Sequence, residues 1–141
     1  MSSPPTESTV SLVIQIVILI LLGYSYLLSK RKKFKIHAWV TTTALLLHIA
    51  VVAYVMIPVF TYGYSAYSMF YSMFFVANLG LHALSGALTI VAGSLLTLRW
   101  LLQKLDVRSC LHKTQMRVVL VLWVLSIISG IIVYISWFIT P

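Results

Sequence analysis

Four predominantly apolar stretches, each about 20 residues or longer, leave this chain few folds to choose from. They cover residues 9–29, 37–60, 72–100 and 115–139. A helix rises about 1.5 Å per residue, so about 20 residues cross the roughly 30 Å hydrocarbon layer of a bilayer. Lipid offers no partner to a backbone N–H or C=O, so a spanning segment of this kind satisfies its own backbone as a helix. The expected fold is all-α, an integral membrane bundle of four transmembrane helices. Residues 1–8 are polar, contain Pro4 and Pro5, and read as a disordered tail ahead of a four-helix domain over 9–141. No basic segment precedes the first stretch and no small-residue cleavage site follows it, which predicts a retained helix.

Composition agrees with lipid as the solvent. Hydrophobic residues make up 61% of the chain and charged residues 9%, whereas a soluble domain carries about 25% charged residues. The net charge of +8 raises nucleic acid as a partner, but its distribution argues against it. Lys30, Arg31, Lys32, Lys33 and Lys35 separate the first two stretches; Arg99, Lys104, Arg108, Lys113 and Arg117 surround the connection between the last two. The connection between the second and third stretches has no basic residue. Under the positive-inside rule both basic connections are cytoplasmic, which places both termini outside a multi-pass protein of the cell membrane.

The acidic residues are Glu7 and Asp106, and neither lies in an apolar stretch. That excludes a buried carboxylate pair and the acid–base and hard-metal chemistry it supports. There is no glycine-rich phosphate loop, no nucleophile with a base and no Cys-x-x-Cys, so the chain reads as a non-enzyme. Cys110 stands alone and forms no internal disulfide. Between the second and third stretches, Tyr62, Tyr64, Tyr67, Phe70, Tyr71, Phe74 and Phe75 read as an interfacial aromatic belt. Met69 and Met73, one helical turn apart, are a soft-donor pair for Cu(I), a reading outweighed by ordinary packing.

The four histidines carry the chemistry. A polar ring inside a membrane is a functional hypothesis by default, because its nitrogens find no partner in lipid. His37 and His48 are eleven residues apart, a rotation of about 1100° that returns them to one helix face, with Thr41 and Ala44 between. His82 shares a stripe with Gly86, Thr89 and Gly93, small residues that let a neighbouring backbone approach. The expected arrangement is a deeper pair, His48 with His82, and a pair at the basic end, His37 with His112. All four are candidate metal ligands, and His48 with His82 is also the candidate haem pair. Imidazole without carboxylate or paired thiolate favours copper, zinc or haem iron; copper or haem are the candidate cofactors. The structural alternative is a histidine bonded across helices to Thr41, Thr42, Thr43, Ser85 or Thr89. Gln15 is placed to join the deeper pair. Trp123, Tyr134 and Trp137 read as packing or anchoring residues.

The run His112-Lys-Thr-Gln-Met-Arg117, then Trp123, then Ser129-Gly130-Ile-Ile-Val-Tyr134 resembles the signature of the CtaM/YozB-type family of small four-helix membrane proteins. The basic run leading to His37, and His82 in the third stretch, match further landmarks of that family. The likeness covers about 100 residues, from Lys30 to Tyr134. Leu122 stands where the family usually has proline, and Ser129 where threonine is common. Members of the CtaM type take part in maturation of haem–copper terminal oxidases. The resemblance therefore implies a maturation factor whose partner is a respiratory oxidase subunit. The competing readings are a membrane subunit carrying b-type haem for electron transfer and a purely structural accessory subunit.

Overall fold

The computed structural model describes residues 6–58, 61, 72–102 and 113–138. It is all-helical there: α1 (Thr6–Lys30), α2 (Phe34–Val51) running on through a π-helical stretch (Val52–Met56), α3 (Met73–Leu102) and α4 (Lys113–Phe138). Four spans are long and apolar enough to cross a membrane: Ser8–Lys30, Phe34–Met56, Met73–Leu102 and Lys113–Ser136. In none of them is more than 33% of the most apolar window buried inside the bundle. The remaining surface is hydrocarbon, with Ile20, Leu46, Leu84 and Val121 all pointing outward. A bundle covered in this way is stable only in an apolar solvent, and a lipid bilayer is the one its span lengths match.

Two helix starts differ from the sequence expectation. α1 begins at Thr6, inside the stretch expected to be a tail, because nothing after Pro5 interrupts the helix. α2 begins at Phe34, so His37 lies within the first turn and its backbone N–H reaches the Lys33 carbonyl at 3.0 Å. The aromatic tract from Tyr62 to Tyr71 with Met69, and the α3–α4 connection with Asp106, Cys110 and His112, lie outside the described residues.

The turn from α1 into α2 is built by backbone geometry. Lys32 takes a left-handed conformation, φ 58°. Its N–H donates to the Ser29 carbonyl at 3.1 Å, and the Lys33 N–H donates to the Leu28 carbonyl at 3.0 Å. These two bonds form a Schellman closure, which satisfies carbonyls that the end of a helix leaves open. The chain reverses within a few residues, and α1 and α2 pack as an antiparallel hairpin. α3 and α4 form a second hairpin, and α1–α4 and α2–α3 contacts close the bundle.

The apolar core comes from three helices: Ile18 and Leu22 of α1, Ala44 and Leu45 of α2, and Val119, Trp123 and Ile127 of α4. α3 packs Ala92 and Leu96 against this core and buries Phe75, Leu79 and Trp100 together with a small-and-polar row, His82, Ser85, Gly86, Thr89 and Gly93. A Cβ on Gly93 would stand 3.1 Å from Leu45 Cδ1, so the missing side chain is what lets α2 approach α3. Lys30, Lys35, Arg99, Lys113 and Arg117 line a single cavity. The basic segments on either side of both connections thus gather at one end of the bundle.

Candidate functional site

His48 and His82 are 3% and 5% exposed, in the middle of the bundle. The α3 stripe predicted from spacing faces inward, with His82, Gly86, Thr89 and Gly93 all buried; on the predicted α2 stripe Ala44 and His48 are buried and His37 and Thr41 half-buried. The His82 Nδ1–H donates to the Ser126 carbonyl of α4 at 2.8 Å. One turn away, Asn78 Nδ2–H donates to the Ser129 carbonyl at 3.1 Å. α3 is thereby stitched to the α4 backbone at two levels. The first bond fixes the His82 tautomer, leaving Nε2 with a lone pair.

Two glycines hold the histidines in place. A Cβ on Gly130 would meet His82 Cε1 at 2.7 Å, Gln15 Oε1 at 2.9 Å and His82 Nδ1 at 3.0 Å. The bare α4 backbone at Gly130 is therefore the floor on which His82 and Gln15 meet. A Cβ on Gly86 would lie 3.2 Å from Ser126 Oγ and 3.8 Å from His48 Nε2. Ser126 links the two rings: its carbonyl holds His82 and its hydroxyl shares the Gly86 wall with His48. The Trp123 indole covers the other side, its ring centroid 5.6 Å from that of His48 with the planes tilted by 59°.

This cluster is short of hydrogen bonds. Gln15 Oε1, both nitrogens of His48, Trp123 Nε1 and Ser126 Oγ are buried without a partner among the described residues. The Gly86 backbone is close to the His48 ring without forming a hydrogen bond of good geometry. The hydroxyls expected to serve the histidines turn back on their own helices. Thr41, Thr42 and Thr43 donate to the carbonyls of His37, Ala38 and Trp39. Ser85 and Thr89 donate to those of Leu81 and Ser85. A buried polar atom left unpaired costs about 1–3 kcal/mol, so these five, strung from Gln15 beside His82 to Trp123 beside His48, are the site's most distinctive property.

His37 is elsewhere and is employed differently. Its Nδ1 lies 2.8 Å from the Ser25 carbonyl and 2.7 Å from the Ser25 hydroxyl. Ser25 Oγ is also 2.7 Å from Thr41 Oγ1. One consistent set has Nδ1–H donating to the carbonyl, Thr41 to the His37 carbonyl, and Ser25 to Thr41. His37 thus clasps α1 to α2 near the basic end. Its expected companion, His112, lies outside the described residues. Among the described residues no three of His, Cys, Asp or Glu gather as a ligand set, so neither His48 nor His82 belongs to a cluster of three such donors.

Sequence reasoning read Trp123 as packing, placed Gly86 on the His82 stripe, and passed over Ser126. Ser126 and Gly130 sit four residues apart on α4, and Trp123 precedes Ser126 by one turn; that small-and-polar stripe beneath a tryptophan was the available signal. Comparison with known protein families, with curated proteins and with solved structures gives no match.

Proposed function

We propose that the chain is a membrane maturation factor for a respiratory haem–copper oxidase, and that His48 and His82 bind a copper ion in transit. The observation that carries the metal reading is the set of unpartnered buried atoms, above all the two free nitrogens of His48. In lipid such atoms have no water to turn to, and the Gly86 backbone beside His48 does not make a well-aligned bond, which favours a bound occupant. His82 has the second-sphere arrangement of a metal ligand, one nitrogen oriented by a carbonyl and the other left as donor. An imidazole pair without carboxylate suits copper among biological metals. His48 and His82 would hold the ion, and Gly86 and Gly130 leave their rings the room they occupy.

A haem between the same rings is less well supported. The cavity of about 480 Å³ lies at the basic end and is lined by neither His48 nor His82. The oxidase assignment rests on the resemblance over Lys30–Tyr134. The basic connections would be cytoplasmic and both termini extracytoplasmic under the positive-inside rule.

The test is direct. The purified full chain is titrated with Cu(I) in mild detergent, and bound metal is counted. One copper per chain, lost in both His48→Ala and His82→Ala with the helical spectrum unchanged, is the expected result. A stoichiometric Soret band, or copper retained by both variants, overturns the metal reading. Deletion of the gene, followed by assay of terminal oxidase activity and copper content, tests the maturation role; unchanged oxidase would end it.

A further inference from the structure

We infer that the cavity at the basic end is a binding site for an anionic phospholipid, with the headgroup phosphate on its rim and an acyl chain in its throat. The cavity has a volume of about 480 Å³, inside the range of about 300–1,000 Å³ typical of ligand pockets. Its lining divides by chemistry. Lys30, Lys32, Lys35, Arg99, Lys113 and Arg117 border it, and all six are solvent-exposed residues at the helix ends. Leu22, Leu45, Trp100 and Trp123 also line it, and all four are buried. One end of the cavity is therefore cationic and the other mainly hydrocarbon, with Ser25, His37, Thr41, Thr42 and Thr97 set among the apolar side chains.

Charge decides the class of occupant. Five cations from all four helices and Lys32 from the α1–α2 turn converge here, while the chain's acidic residues are Glu7, at the opposite end of α1, and Asp106, outside the described residues. No described ion pair neutralises the rim. Cations at a membrane surface attract anionic lipid, each contributing a similar increment. An apolar throat below an anion site calls for a molecule with both properties joined. A free anion would leave the throat unfilled, and a neutral lipid would leave the rim uncompensated. Lys and Arg stems lie along apolar surface while their charged heads stay at headgroup level, which suits the same occupant. Arg31 and Lys33, in the same basic run, do not line the cavity, and this separates a built site from a diffuse positive surface.

The test uses the full chain in a neutral maltoside detergent, titrated with dioleoyl phosphatidylglycerol or dioleoyl phosphatidylcholine and read by native mass spectrometry. A one-to-one phosphatidylglycerol adduct, with phosphatidylcholine much weaker, is expected. Removing two rim charges in R99Q/R117Q should weaken that adduct by about thirtyfold. The R31Q/K33Q variant, with the same loss of charge off the cavity, should leave it unchanged, and so should His48→Ala. Equal weakening by both double variants, displacement of the lipid by millimolar inorganic phosphate alone, or equal binding of the two lipids would each overturn the proposal. The His48→Ala control keeps this result separate from the copper reading, since lipid retention does not require the histidine pair.

Discussion

At the scale of single residues, the site is defined by what backbone and small side chains allow. Gly130 is the tightest point. A methyl group there would stand 2.7 Å from His82 Cε1, closer than packed carbons tolerate, and the neighbour is a ring held by a hydrogen bond. Gly130→Ala should push His82 off the Ser126 carbonyl and destabilise the bundle by about 1–3 kcal/mol, the usual cost of overpacking. Denaturation in graded sodium dodecyl sulfate reads the loss, and a change in the His82 imidazole nitrogen resonances reports the broken bond. His48 leads to the opposite expectation. Both of its nitrogens are unpartnered, so the metal-free protein should gain about 1–3 kcal/mol from His48→Leu, which removes them. A gain in apo stability together with loss of copper binding is the trade expected of a functional site. A loss of stability would mean that the ring has structural partners. Helical spacing and the cost of a polar ring in lipid made His48 and His82 legible as a candidate pair. Spacing along one chain could not reveal that Ser126 links them, because that depends on how α3 and α4 are rotated against each other.

At the scale of elements, helix identity was plain in the sequence and helix ends were not. Apolar length alone fixed four helices, since lipid leaves no other way to satisfy a spanning backbone. The ends depend on capping, where a few residues decide. The α1–α2 turn illustrates this: it needs a left-handed residue, and the chain supplies Lys32 instead of glycine. A side chain in that conformation costs about 1–2 kcal/mol. Lys32→Gly should therefore stabilise the hairpin by about 1 kcal/mol, measured as a shift in the same detergent unfolding transition. The early start of α2 has a consequence for His37: it lies across from Ser25, and the two helices clasp through it. Spacing in the sequence offered His112 as its companion. Once the hairpin closes, the partner is a backbone carbonyl, which no residue-type pattern encodes.

At the scale of the whole molecule, the basic residues flanking both connections meet at one end, as four consecutive spans of alternating direction require. If that end is cytoplasmic, a membrane-impermeant maleimide applied to intact cells should react with Thr6→Cys and spare Lys33→Cys, both in a Cys110→Ser background. Permeabilisation should then expose the second position. The reverse pattern would invert the topology without altering the bundle.

The π-helical stretch at Val52–Met56 begins four residues after His48. A wide turn accommodates one extra residue, so every side chain beyond it is offset by about 100° from the course set by the preceding helix. Tyr54, on the bulge, is 83% exposed. The quarter of α2 farthest from the basic end is thus released from the angular register that points His48 inward. Substitutions or insertions there can remodel what that tip presents to a neighbour while the imidazole keeps its heading, so the two ends of one rod are free to diverge under separate selection.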